Sequence, residues 1–517
     1  MKHPIVYLVG SGPGDPLLIS VRGLKYLKTA DVVVFDHLVH TKLLKSVSAN
    51  AECIDVGPSA HKAFDQEAIS YLLADKAREG NVVVRLKLGD PFVFNDGGKE
   101  ALFLHEQGIP FEVVPGIPSA IGTPCHAGIP ITYPGDSNII TFVREDESED
   151  SKTPRVDWKN LAPLNGTIVC YVNARQLPII VRSLLKNGRP ADEPTALIYD
   201  GSLPQQQTLK GTLGDIIKIT DQKKHKRQAI LIVGWVANLR DHLRWFDTRP
   251  LFGKRILITR SREQAGELVE LLEEHGAETI ESPCIRIEAP NDLGPLQEVC
   301  KDTDTLDWIV FTSINGVEKF MQCLLDGTRD VRVLHGVQLC AVGPMTAERL
   351  AHYGLEADLV PSDHRSDGVA EALQSATNLS GKRILLPRSE IASKHLPNKL
   401  EKSGAKIIDI AAYRTVPETD LGKTGGHDVY RMLLNKRFDV VTFTSASTVQ
   451  NFVKSLGAEQ ASDLLAATLV ASIGPVTADA AKQLDIRTSI MPSVYTVPAL
   501  VQEILNHFNH QPKTPSN

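Results

Sequence analysis

The stretch "YLVGSGPGDPLLIS", residues 7–20, runs from an apolar segment into glycines at 10, 12 and 14. Downstream, "ADVVVFDHLV" (30–39) ends a second apolar run in Asp36, where a dinucleotide-binding fold keeps the acid that meets a ribose. Such a fold asks for Gly-x-Gly-x-x-Gly, its third glycine letting helix pack on strand. Here the spacing is Gly-x-Gly-x-Gly, with Pro13 inside it and Asp15 and Pro16 directly after. Proline removes an amide donor, and an aspartate beside the loop repels phosphate. A nicotinamide-dependent oxidoreductase stays open as an alternative, beside a strand-to-helix turn that holds no ligand.

Two later stretches bear on the choice. "VVVRLKLGDPFVFNDGGKEA" (82–101) ends a strand-like run in Gly89-Asp90-Pro91 and reaches Gly97-Gly98 before a helical pattern. "FEVVPGIPSAIGTPCHAGIPIT" (111–132) again leads from strand into a loop rich in glycine and proline. Three such loops at strand ends form one crevice at the carboxyl edge of a parallel sheet, the usual ligand position.

Short β-branched runs at 5–9, 32–35, 82–86, 111–114, 139–143, 167–171, 195–199 and 229–233 alternate with amphipathic ones, which predicts α/β architecture throughout. Periodicity fades in the charged stretch 144–157, read as an exposed loop between two lobes, and again at 247–253, read as a linker. From 254 the chain repeats itself. "ILITRSREQAGELVELLEEHGAETI" (256–280) matches "ILLPRSEIASKHLPNKLEKSGAKII" (384–408), and "VFTSINGVEKF" (310–320) matches "TFTSASTVQNF" (442–452). "AVGPMTAERL" (341–350) matches "SIGPVTADAA" (472–481). This spacing is too long for a solenoid and suits two similar parallel-sheet lobes facing one another. The polar tail 509–517 is expected to be disordered.

A net charge of −6 and a pI near 6.3 argue against a dedicated binder of nucleic acid or anionic membrane. Seven scattered cysteines without a C-x-x-C pair read as reduced thiols and not as a zinc site. With no signal-peptide pattern and no apolar run of membrane length, the expected setting is cytoplasmic.

The motifs "VGSGPGDP", "ADVVVFDHLV", "VRLKLGDPFVF", "VVPGIPSAI", "AGIPIT", "GTIVCYV" and "ILIVGWVANLRDHLRWF" resemble those of the tetrapyrrole methyltransferases, most closely uroporphyrinogen-III C-methyltransferase, over residues 1–246. The resemblance implies a two-lobed, dimeric enzyme with S-adenosylmethionine between its lobes. Carried over residue by residue, the cofactor positions are Pro13, Gly89, Asp90, Val93, Ser119, Val172 and Gly201, and Asp36 is the proton acceptor. Some residues depart from the family pattern. Leu88, Pro58, Ser59, His37, Asn95, Asp96, Val172, Tyr133 and Pro134 stand where the family has glycine, lysine, arginine, methionine or histidine. Most of these changes fall on charges expected to meet a polycarboxylate, so a non-catalytic methyltransferase-like half is the alternative reading.

Residues 254–508 resemble uroporphyrinogen-III synthase, which closes linear hydroxymethylbilane into a ring and needs no cofactor. The resemblance implies that the chain crosses between lobes near 285–289 and 414–418. Lobe one is then 254–287 plus 417–508, and lobe two 288–416. It also implies that Tyr413 assists loss of water from the bilane. Helix starts bind carboxylates without net charge, which makes Ser313, Ser445, Thr346 and Thr477 substrate-binding candidates, with Arg260 and Arg388 at equivalent strand ends. The expectation is one chain that makes uroporphyrinogen III and methylates it, acting on small tetrapyrroles and on neither nucleic acid nor membrane.

Overall fold

The computed structural model describes residues 3–57, 64–144, 156–223, 227–260, 262–283, 285–326, 329–363, 366–390, 392–417, 428–456 and 458–509. Pro58 and Ser59, most of the charged stretch 144–157 and all but the first residue of the tail lie outside them. No helix among the described residues is long and apolar enough to cross a membrane.

The first sheet holds β1 (Ile5–Gly10), β2 (Val32–Phe35), β3 (Glu52–Asp55), β4 (Val82–Lys87) and β5 (Phe111–Val114). They lie in the order β3-β2-β4-β1-β5, all parallel. Continuous apolar runs suit such strands because helices cover both faces. Val6, Leu8, Val34 and Val83 enter one core, while Val9, Val33, Val84 and Leu86 enter the other.

A second, mixed sheet comprises β6 (Ile140–Arg144), β7 (Thr167–Val172), β8 (Pro194–Tyr199), β9 (Gln207–Thr212) and β10 (Ala229–Val233). Here β10 runs antiparallel between β7 and β8. The stretch 247–253, read from sequence as a polar linker, is packed: Leu251 is fully buried with Ile256 and Ile258. The Arg249 guanidinium lies 5.0 Å from the Trp245 ring and 4.9 Å from Phe246.

The second half contributes β11 (Arg255–Ile258), β12 (Glu278–Glu281), β13 (Ile285–Glu288), β14 (Trp308–Phe311) and β15 (Gln338–Ala341). There follow β16 (Arg383–Ser389), β17 (Lys406–Pro417), β18 (Val440–Phe443) and β19 (Leu469–Ser472). They form two sheets, ordered β12-β11-β18-β19 and β13-β17-β16-β14-β15. Apart from β13 the orders correspond, and each sheet combines one motif from the first repeat with two from the second, or the reverse. The correspondence reaches side chains. Asp439 accepts from the Arg255 amide and Asp307 from the Arg383 amide, both at 2.8 Å. Phe443 meets Phe452 edge-on at 5.4 Å, as Phe311 meets Phe320 at 5.6 Å. Between the lobes, β13 runs antiparallel to Arg414–Pro417 of β17, so a two-stranded ribbon carries the crossing.

At the carboxyl edge of the first sheet three backbones nearly touch. A Cβ on Gly10 would lie 2.5 Å from the Gly89 carbonyl oxygen and 2.7 Å from the Gly116 Cα, and one on Gly116 would fall on the same oxygen. A Cβ on Gly98, in the first turn of the helix Gly97–Glu106, meets no atom within 4 Å. Gly116→Ala should therefore cost about 1–3 kcal/mol through forced backbone movement. Gly98→Ala should be neutral or slightly stabilising. Thermal unfolding of the two variants beside the parent chain checks both; equal midpoints would refute the close approach.

Candidate active sites

The first loop is tied down by its neighbours. The Gly12 amide donates to the Gly89 carbonyl at 3.3 Å, and the Gly89 amide to the Gly12 carbonyl at 2.8 Å. With that amide spent, Gly12 cannot cradle a phosphate, and the dinucleotide alternative loses its physical basis. Asp15 Oδ1 instead accepts from the Leu17 amide at 2.9 Å, capping a short turn. The Asp15 amide donates to Ser202 Oγ of the second lobe at 3.0 Å.

Most of the predicted cofactor positions converge here. Gly89 has φ of +71°, a conformation that favours glycine, and its open side faces the Ser119 amide. The Pro13 ring packs on Gly122, and Gly201 packs on Thr123, both on the helix Ser119–His126. Asp90 turns inward, where Oδ1 accepts from the Phe92 amide at 2.8 Å and Oδ2 from the Gly116 amide at 3.0 Å. Its carboxylate therefore shapes the loop. Val172 ends β7 buried in the second-lobe core. Val93 is half-buried between the exposed rings of Phe92 and Phe94. The resulting wall of glycine backbone and neutral apolar groups suits an adenosyl group better than a phosphate.

Two residues that depart from the family pattern have structural roles here. Asn95 Nδ2 donates to the Leu88 carbonyl at 2.8 Å and to the Asp90 carbonyl at 2.7 Å, clipping the cofactor loop shut. Asp96 pairs with Lys99 at 2.8 Å, and that bond, with Lys87 and Arg144 nearby, holds its carboxyl below the usual range against a burial effect that would raise it. Arg144, at the end of β6, donates to the Phe94 carbonyl and so brings a guanidinium from the second lobe to this loop.

Asp36 does not stand alone. Its Oδ1 accepts from Arg85 Nη2, and Arg85 Nε donates to Glu100 Oε1 at 3.1 Å. Lys87 Nζ at 3.0 Å and Gln66 Nε2 at 3.1 Å reach the same Glu100 oxygen. Arg85, Lys87 and Glu100 are almost wholly buried. Burial alone would raise the Glu100 carboxyl, but Arg85 and Lys87 hold it below its ordinary value. Sequence reasoning passed over these partners. The signal lay in "VVVRLK", where two cations two residues apart in a buried strand require buried anions.

In the second half, Ser313 Oγ accepts from the Gly316 amide at 3.1 Å and Ser445 Oγ from the Thr448 amide at 3.2 Å, so both cap helices. Ser313 also lies 3.0 Å from the Tyr413 hydroxyl, joining two candidates from opposite ends of lobe two. Tyr413 is otherwise packed among apolar side chains. Ser445 instead neighbours Ser447 at 2.9 Å, so the lobes differ at this point. Thr346 and Thr477 are buried in the helices Pro344–Ala351 and Pro475–Lys482. Neither helix has a side-chain cap bond, so what these starts present outward is backbone amides.

The two arginines part company. Arg388 forks onto Asp409 of its own lobe at 2.6 and 2.7 Å and donates to the Ser393 carbonyl at 2.6 Å. It is thus buried and paired within its own lobe. Glu281, Asp409's counterpart in the repeat, pairs with Lys45 of the first half at 2.6 Å. Burial disfavours the charge on Arg260, with Glu267 opposing that effect.

Comparison with known proteins places both halves. The family described as Tetrapyrrole (Corrin/Porphyrin) Methylases matches residues 5–217, and the one described as Uroporphyrinogen-III synthase HemD matches 266–502. The porphyrin biosynthesis protein HemD of Ruminiclostridium josui is 35% identical over 511 residues, covering 98% of each chain. The uroporphyrinogen-III C-methyltransferase of Bacillus subtilis (strain 168) is 36% identical over 335 residues, 65% of this chain and 68% of the relative. That of Methanocaldococcus jannaschii is 45% identical over 239 residues, 46% of this chain and 98% of its own. The chain belongs to the family in which a tetrapyrrole methylase domain of the uroporphyrinogen-III C-methyltransferase kind is fused to a uroporphyrinogen-III synthase domain.

Proposed function

We propose that the chain carries out two consecutive steps of tetrapyrrole synthesis, on the way to sirohaem and cobalamin. The second half cyclises hydroxymethylbilane to uroporphyrinogen III, and the first half methylates that product to precorrin-2. The observation that carries this reading is the whole-length match to a porphyrin biosynthesis protein that spans both halves. We further propose a cytoplasmic homodimer joined through the first half, where Leu17 and Val21 stand 84% and 89% exposed.

In the synthase half, the Tyr413 hydroxyl protonates the departing hydroxyl of the bilane, a role supported by its contact with Ser313, which would fix its direction. The C–O bond breaks, water leaves, and the cationic azafulvene is closed by ring D through a spiro intermediate, with loss of a proton. The uncapped helix starts at Pro344 and Pro475 offer amides to the acetate and propionate arms. Because the bilane ionises readily, the enzyme's main contribution is geometry.

In the methyltransferase half, S-adenosylmethionine supplies an electrophilic methyl on sulfonium. Gly89, Ser119, Pro13 and Gly201 would hold it beside the trough, with Asn95 keeping the loop in shape. The pyrrole carbon attacks with its own ring electrons, so the protein must align the partners and take up the proton that the macrocycle sheds. Asp36 is the acceptor for that proton.

Incubating the full chain with hydroxymethylbilane should give uroporphyrinogen III alone. Adding labelled S-adenosylmethionine should give a labelled, methylated product, and unlabelled product in both arms would overturn the methyltransferase assignment. Tyr413→Phe should slow cyclisation about 10-fold and Ser313→Ala less, read as the type III isomer formed. Asp36→Asn should lower methyl transfer at least ~100-fold and leave cyclisation unchanged.

A further inference from the structure

Asp36, Arg85, Glu100 and Lys87 form a chain of two anions and two cations that runs from the end of β2 into the core of the first lobe. Arg85 divides its planar fork: Nε and one Nη face different carboxylates, Glu100 and Asp36. A guanidinium that met Asp36 alone would clamp both of its oxygens. Sharing with Glu100 limits the contact to Asp36 Oδ1, and the Asp36 side chain remains 29% exposed at the end of β2. Glu100 takes three donors on Oε1, while its buried Oε2 has no hydrogen-bond partner among the described residues. A carboxylate held in this way costs desolvation that a purely structural site would avoid with an apolar residue.

We propose that Glu100 is a positioning residue for methyl transfer, acting through Arg85 to set the orientation and charge surroundings of the Asp36 carboxylate. Lys87 balances Glu100, so the four groups together carry no net charge. The inference rests on the assignment of Asp36 as proton acceptor made above. Other titratable groups near Asp36 are His37 on its own loop and Asp55 at the end of β3, whose Oδ1 accepts from the Gly57 amide at 2.7 Å.

Methyl transfer to uroporphyrinogen III from labelled S-adenosylmethionine, followed against pH with the full chain, tests this. Glu100→Gln leaves an uncompensated cation beside Asp36, which disfavours its protonated form. The acid limb of the rate should then move down by ~1 pH unit and the plateau should fall about 10-fold. Lys87→Met should move the limb up by a similar amount, and the double variant, neutral again, should bring it back toward the parent. A role in packing alone would lower the rate without moving the limb and would make the double variant the worst of the three. Cyclisation of hydroxymethylbilane and binding of S-adenosylmethionine serve as controls for folding, and a His37→Asn background removes the neighbouring imidazole from the profile. Should Glu100→Gln not fold, an unmoved limb in Lys87→Met alone overturns the proposal. Full activity in Asp36→Asn sinks the proton-acceptor assignment and this inference with it. An inactive Asp36→Asn beside unmoved limbs in all three variants sinks this inference alone.

Discussion

The close approach of Gly10, Gly89 and Gly116 is the constraint around which the first half is arranged. Parallel strands in one sheet stand about 4.8 Å apart, and their connecting loops normally splay outward to make room for side chains. Here the loops after β1, β4 and β5 fold over one another with backbone against backbone. The Asp90 carboxylate then bridges two of them, and Asn95 closes the third side. What is left facing the second lobe is a surface of amides, carbonyls and small apolar groups. Such a surface suits a flat, neutral group better than a charged one.

The two halves handle anionic substrates differently. In the first half the cations of β4 are buried and paired, and the Arg144 guanidinium of β6 reaches the Phe94 carbonyl. In the second half Arg388 is spent on Asp409, and the outward-facing donors are helix-start amides. The chain as a whole has a net charge of −6.

Apolar runs, glycine loops and the internal repeat mark the buried strands, the loops at the carboxyl edge of the first sheet and the two similar lobes of the second half. The polar β3, "ECID", and the edge strand β9, "QTLKGT", lacked that signal because neither is buried on both faces. Pairings between distant side chains were hidden as well. Tyr413 and Ser313 are 100 residues apart and their bond depends on how β17 bends toward the lobe boundary. Arg388 looked like a substrate contact because its neighbour Asp409 lies on another strand, 21 residues on. The stretch 247–253 looked like a tether on composition, yet its single leucine anchors the second-half core.

The exchange of motifs between the two lobes also bears on the order in which the chain acquires its shape. Lobe two is drawn from one unbroken segment, β13 to β17, and can close as soon as that segment has left the ribosome. In lobe one, the Arg255 amide waits for Asp439, 184 residues later. Until then β11 and β12 form half a sheet with an open edge, the kind of edge that invites pairing with other chains. The first half, already complete by then, meets the other side of this half sheet, where Lys42 and Lys45 reach Glu273, Thr279 and Glu281. The β11 edge itself stays open until β18 is made.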